Sequence, residues 1–390
     1  MRLSHLIVLL SAALLACAFA LAPATATAQS GEGQGWSDTA VVMMTPDQVP
    51  NLTTPIPADQ NPMGATVISM NETNGEVCYQ LWVSGIPNVT QAHIHQGAPG
   101  VEGPIVVSLY PSTDPNRSSG DANTTEHPGN FSGLLMTGNI SASDLVGPMA
   151  GMTVNDLISA MRSGELYVNV HTVQNPGGEI RGQITNDMIW TSALAVPLTP
   201  LEEPTLTAME PTWNISDLQG SDLSMGLTPL VGKNIGDAPW GIGLVQPSGS
   251  NVHYAIWTFD ITNVTQAHFH MGPRGAEAPV VAWLYPSPTA TDPANITPEQ
   301  AGMAMNGKLI EGNVSEADLV GPLEGMPISA LLDAMGNGTI YINVHTTQNP
   351  GGEIRGQVDP ANMTCQMASA PMSPMPSPQP SPPVYATNAE

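Results

Sequence analysis

Positive charge is what this chain has least of. Lys and Arg together number 8 against 33 Asp and Glu, a formal net charge of −25. Beyond Arg2 the fixed cations are Arg117, Arg162, Arg181, Lys233, Arg274, Lys308 and Arg355, spread along the sequence. Phosphate backbones are held by clustered Lys and Arg, so the composition argues against a nucleic-acid partner. It argues against an anionic lipid surface for the same reason. The acids are scattered too, which fits solubility better than an acidic docking patch. Cysteine is almost as scarce, with Cys17, Cys78 and Cys365. Cys17 falls in an export leader, so disulfides cannot carry the fold. A Cys78–Cys365 bond, which an oxidising compartment permits, would join two halves of the chain and staple neither. Long apolar runs are missing beyond the N-terminus, where nothing approaches the ~20 residues needed to cross a bilayer.

The leader comprises residues 1–28. Arg2 supplies a positive start, Leu6 to Leu15 an apolar core, and Ala26-Thr27-Ala28 a small-residue cleavage site. This predicts a mature N-terminus at Gln29 and a secreted protein, with association at the cell surface as a variant of that reading. Leu14-Leu15-Ala16-Cys17 resembles a lipidation box, but the apolar stretch runs on past Cys17. Asn-x-Ser/Thr sequons are dense: Asn51, Asn71, Asn88, Asn116, Asn123, Asn130, Asn139, Asn214, Asn263, Asn295, Asn313, Asn337 and Asn362. In an exported chain they are candidate glycosylation sites, weighed against a plain Asn- and Thr-rich strand-and-loop composition.

One long pattern occurs twice. N-V-T-Q-A-H-I-H-Q-G begins at Asn88 and N-V-T-Q-A-H-F-H-M-G at Asn263. Y-V-N-V-H-T-V-Q-N-P-G-G-E-I-R-G-Q begins at Tyr167 and returns from Tyr341 with two changes. His93 thus maps to His268, Asp144 to Asp318 and His171 to His345. Spacing this constant over such a length predicts two tandem copies of a domain. The expected boundaries are 36–189 for the first, 190–212 for a linker, 213–362 for the second and 366–390 for a disordered Pro/Ser/Met-rich tail. Each copy is expected to have its own core and to fold separately.

Each copy reads as mostly β. Glu76–Ser84 and Val252–Phe259 alternate, Ile105–Tyr110 and Val280–Tyr285 are β-rich runs bounded by Gly and Pro, and Tyr167–Thr172 and Glu179–Ile184 flank a Q-N-P-G-G turn. Val154, Leu157, Ile158 and Met161 have helical spacing, with Gly164 placed to end the helix. In the second copy Pro327 occupies the Thr153 position, suited to a first helical turn. Short antiparallel strands and one short helix per copy predict a sandwich or barrel-like fold.

The motif order A-H-I-H-x-G, G-x-x-G-P-I-V-V-x-L, D-L-x-G-P and Y-V-N-V-H-T-x-x-N-P-G-G-E-I-R-G-Q resembles the chordin-type (CHRD) domain, in both copies. The resemblance implies an extracellular β-rich module and no settled activity. The cysteine-rich modules that accompany it in chordin are absent here, so growth-factor binding is not carried over. The second copy departs at Ala278, where the first has Gly103, and its portion before Asn251 matches poorly.

Strand alternation places the histidines. Ala92 and Ile94 share one face, and Gln91, His93 and His95 the other; Tyr167, Asn169 and His171 oppose Val168 and Val170. The second copy repeats this with His268, His270, Tyr341, Asn343 and His345. Two imidazoles at i and i+2 plus a third from a neighbouring strand suit Zn²⁺ or Cu²⁺, if the ligand nitrogens come within roughly 3–4 Å of one another. The hairpin would place Glu179 or Arg181 beside His171, and Glu353 or Arg355 beside His345, as partners that orient the imidazoles. Without metal the same residues would form a hydrogen-bonded polar network. Metal binding is expected to weaken below pH ~6. No nucleophile–base set is evident, and Gly97–Gly103 lacks the Lys-Ser/Thr of a phosphate cradle. The sequence therefore predicts a binding or structural module for an extracellular protein or glycan. A Zn or Cu module is the alternative, and a copper-zinc dismutase-like enzyme comes last, because ligands for a second, bridged metal are missing.

Overall fold

A computed structural model describes residues 37–58, 60–111, 127–204, 206–218, 227–286, 304–360. The leader, Cys17, Cys365, the C-terminal tail and the sequons at Asn116, Asn123, Asn295 and Asn362 lie outside the described residues. Cys78 is disulfide-bonded; whether Cys365 is its partner, the pairing the sequence leaves open, lies outside the described residues.

The first half runs β1 (Ser37–Met44), β2 (Met63–Asn71), β3 (Glu76–Gln96), β4 (Ile105–Tyr110), β5 (His127–Ile140), α1 (Val154–Arg162), β6 (Leu166–Thr172) and β7 (Ile180–Gln183). The second runs β8 (Ile189–Leu198), β9 (Trp240–Ser248), β10 (Asn251–Thr262), β11 (Val264–Met271), β12 (Val280–Tyr285), β13 (Ala304–Ser315), α2 (Ile328–Gly336), β14 (Ile340–Thr346) and β15 (Ile354–Val358). All strand pairing is antiparallel.

Each half is a sandwich, and in the first the layers share one long strand. The start of β3 pairs with β2 and β5, and its end with β4 and β6. The strand bends between these parts, where Gly85 and Asn88 have left-handed backbones at φ 62° and 49°. Asn tolerates that conformation better than other residues with a Cβ. In the second half the bend breaks the strand. Asp260 and Asn263 are left-handed, and β10 and β11 become separate strands, with β12-β11-β14-β15 as a sheet of their own. The apolar faces of the layers enclose a core in each half, closed at one end by the helix; Leu157, Ile158 and Met161 of α1 are fully buried. Thr153 caps α1 reciprocally with Asp156, and Gly164 follows at φ 76°. Pro327 stands just outside α2, at the capping position and not in the first turn.

One expected boundary is corrected, and the halves are joined beyond their own cores. Most of residues 190–198 is not linker: β8 is the first strand of the second sandwich, pairing with β9, and its start also pairs with β1 of the first. The pairing makes one sheet continuous through both halves. The halves also share a third core. Val41, Ala65, Val67 and Trp82 from the first pack with Ala195, Trp240, Ile242 and Phe259 from the second, and Trp82 stacks on Trp240 at 5.3 Å. The described residues of segment 204–239, which is longer than its counterpart 50–62, cover this core with Ile215, Leu230 and Ile235. They also bond to β5 of the first half, through Gly232 N to Leu134 O and Ile235 N to Ser132 O. The poor match before Asn251 reflects this segment, which serves the interface.

Candidate metal centre

Six histidines gather into two sets of three. His93 and His95 on β3 face His171 on β6, because the register sets Gln91 against His171 and His93 against Asn169. On β11 and β14 the register sets Gln266 against His345 and His268 against Asn343, and the result is the same. In each set one nitrogen per histidine lies within 4.8 Å of the others, and no Cys, Asp or Glu joins either set among the described residues. The closest pairs are His93 Nδ1 to His171 Nε2 at 3.2 Å and His268 Nδ1 to His345 Nε2 at 3.0 Å. Nitrogens bound tetrahedrally at about 2.0–2.1 Å from Zn²⁺ lie roughly 3.3 Å apart. The closest pairs fit that spacing, and the rest of each set falls within 4.8 Å, a looser limit than the roughly 3–4 Å expected from the sequence.

The backbone decides which nitrogens are bare. His95 Nδ1 donates to Gly103 O at 2.9 Å and His171 Nδ1 to Pro176 O at 2.8 Å. His270 Nδ1 and His345 Nδ1 do the same to Ala278 O at 2.8 Å and Pro350 O at 2.9 Å. A carbonyl only accepts, so each of these Nδ1 atoms holds the proton and each Nε2 presents a lone pair. Nε2 of His95 and of His270 is buried with no hydrogen-bond partner. Burial first, then neighbouring imidazoles, pushes His93 and His268 down to about 2 and His171 to about 4. Burial likewise lowers His270 to about 4, and lowers His95 and His345. Burial thus favours the neutral form of all six imidazoles.

The polar face of these strands is not exposed. Asn169, Glu179, Arg181 and Gln183 are buried alongside the first set, as are Asn343, Glu353, Arg355 and Gln357 alongside the second. Arg181 stacks over the Tyr167 ring at 3.4 Å, and that ring lies flat against His95 at 5.0 Å. Arg355, Tyr341 and His270 repeat the stack at 3.4 and 4.8 Å. Tyr167 Oη accepts from Gly103 N, the residue whose carbonyl holds His95. Arg181 ties the same loop down at Ala98 O and Val101 O. The arginines thus act on the imidazoles through a tyrosine, opposite Asn169 and Asn343 in register.

The glutamates do something else. Thr172 Oγ1 and Asn175 Nδ2 both donate to Glu179 Oε2, and Thr346 and Asn349 hold Glu353 in the same way. The acids fasten the N-P-G-G turn, which carries the carbonyl that orients His171 or His345. Their place as direct imidazole partners is taken by backbone carbonyls. At Gly178, φ is 134°, and a Cβ there would come within 2.3 Å of Asn169 Oδ1, so the turn needs glycine. Tyr167 and Tyr341 were legible on the histidine face from alternation alone. The orienting carbonyls carry no side-chain signal.

Some features belong to one half only. Trp283, opposite His268 on β12, packs edge-on against that imidazole at 4.2 Å, where the first half has Ser108 opposite His93. Glu203, where the first half has Val49, is buried with both carboxylate oxygens unpartnered among the described residues. Of the sequons within the described residues, none is buried: Asn51, Asn130, Asn139, Asn214, Asn313 and Asn337 are exposed, and Asn71, Asn88 and Asn263 half-buried. Among the described residues no helix is long and apolar enough to cross a membrane.

None of the curated proteins compared with the chain matches it. The family model of the CHRD domain matches residues 40–184 and again 232–358. The match brackets both histidine sets and most of both sandwiches, and the chain belongs to the CHRD-domain family, with two domains in tandem.

Proposed function

We propose that this is an exported binding protein whose two CHRD domains each hold one transition-metal ion, Zn²⁺ or Cu²⁺, on three imidazoles. The ligands are His93 Nδ1, His95 Nε2 and His171 Nε2 in the first domain, and His268 Nδ1, His270 Nε2 and His345 Nε2 in the second. One observation carries this reading: four imidazoles have their protons fixed on backbone carbonyls, and of their Nε2 atoms those of His95 and His270 are buried without a partner, within 4.8 Å of the other ligand nitrogens of their sets. Buried lone pairs without donors are unfavourable unless something accepts them. Carbonyls behind metal-bound imidazoles are the usual orienting partners. Three nitrogen ligands leave a further position on such an ion, where it can polarise a bound donor.

Export rests on the leader, the family's extracellular character and the sequons, whose accessible positions suit glycosylation. We read the role as binding, with one ion held by the three imidazoles of each domain. Elemental analysis of the mature protein, loaded with Zn²⁺ or Cu²⁺ and dialysed, should give about two ions per chain. His95→Ala and His270→Ala should each remove one. Metal content unchanged by both substitutions would leave only a hydrogen-bonded network.

A further inference from the structure

The two histidine sets match in every orienting contact and differ in what stands beside the first histidine. Residues directly opposite on paired strands share a face. In the first domain His93 lies opposite Ser108, and in the second His268 lies opposite Trp283, both neighbours half-buried. The indole ring packs at 84° to the His268 imidazole, with centroids 4.2 Å apart. Serine in the same place is smaller by a whole ring system and offers a hydroxyl.

Resting on the metal reading above, we infer that the two centres are unequal. The first admits a small exogenous anion to its ion, and the second excludes it because Trp283 screens the ion's remaining position. The second centre then retains an ion, and the first exchanges ligands on one.

The test uses the full mature chain in two single-centre forms, His270→Ala leaving the first centre and His95→Ala leaving the second. Each is loaded with Cu²⁺ and titrated with azide, following the azide-to-copper charge-transfer absorption. The first-centre protein should bind azide at least tenfold more tightly. Trp283→Ser in the second-centre protein should recover most of that difference, and Ser108→Trp in the first-centre protein should abolish it. Copper should also quench tryptophan emission more in the second-centre protein, an excess lost with Trp283→Ser. Equal azide affinity at the two centres, or affinity unmoved by Trp283→Ser, would overturn the inference and leave metal binding standing. Failure of both proteins to bind copper would overturn the metal reading and this inference together.

Discussion

At the scale of single residues, the buried imidazoles link stability to pH. Their folded-state values lie below the ordinary 6.5, at about 2 for His93 and His268 and about 4 for His171 and His270. The unfolded chain therefore takes up protons first as pH falls. The stability these groups contribute is complete above pH ~6.5 and is lost as pH drops towards the folded values. Denaturation of the metal-free protein should show its midpoint falling steadily between pH 7 and 4; a flat profile there would contradict neutral buried imidazoles. Glu203 has the opposite sign. Burial pushes its carboxyl up to about 8, against the pull of Arg355. Its contribution is thus complete below about pH 4.5 and lost as pH rises through 8. Glu203→Val, which installs the first domain's residue, should be more stable than the parent at pH 9 by ~1–3 kcal/mol. The gain should shrink towards pH 5, and urea melts at the two pH values would show whether it does. Neither effect was legible in sequence. Charge and alternation place a residue on a face, but whether loops bury that face depends on packing between distant segments.

Elements are more legible in the sequence than their partners. The strands at 105–110, 167–172 and 280–285 and the helix after Thr153 stand where their patterns indicated, because period and capping are local properties. The Thr153 cap gives a direct check: Thr153→Ala should lower stability by about 1 kcal/mol, as a lost capping pair does. The role of β8 was obscured by the Pro- and Thr-rich sequence that follows Val196. Glu179 and Arg181 were rightly placed on the polar side, but the turn draws Glu179 to Thr172 and Asn175, and Tyr167 intervenes between Arg181 and His95. Spacing cannot show an intervening ring. The stack has a consequence: Tyr167→Leu should loosen His95 and lower the first centre's metal affinity, leaving the second unchanged. Isothermal titration of Zn²⁺ would resolve the two centres, and equal weakening of both would refute a local positioning role.

For the whole molecule, the repeat predicted two domains but not their union. Trp82, Trp240 and Phe259 lie in a core that exists only when both halves are present. Residues 29–190 alone would expose Val41, Ala65 and Trp82, so this fragment should aggregate or unfold well below the intact chain. The intact chain should melt in a single transition. Trp240→Ala should cost ~3–5 kcal/mol, as large-to-small changes in a shared core do, and should destabilise both halves; calorimetry showing two independent transitions in the parent would contradict a shared core. Such a union fixes the two centres in one body, each in its own sandwich.

The central claim is that each sandwich holds an ion on three imidazoles. Anomalous diffraction at the zinc edge from crystals grown with Zn²⁺ tests it most directly. The account predicts two strong peaks per chain, each about 2.0–2.1 Å from three imidazole nitrogens, at His93, His95 and His171 and at His268, His270 and His345. Peaks confined to surface carboxylates, with both histidine sets empty, would contradict it.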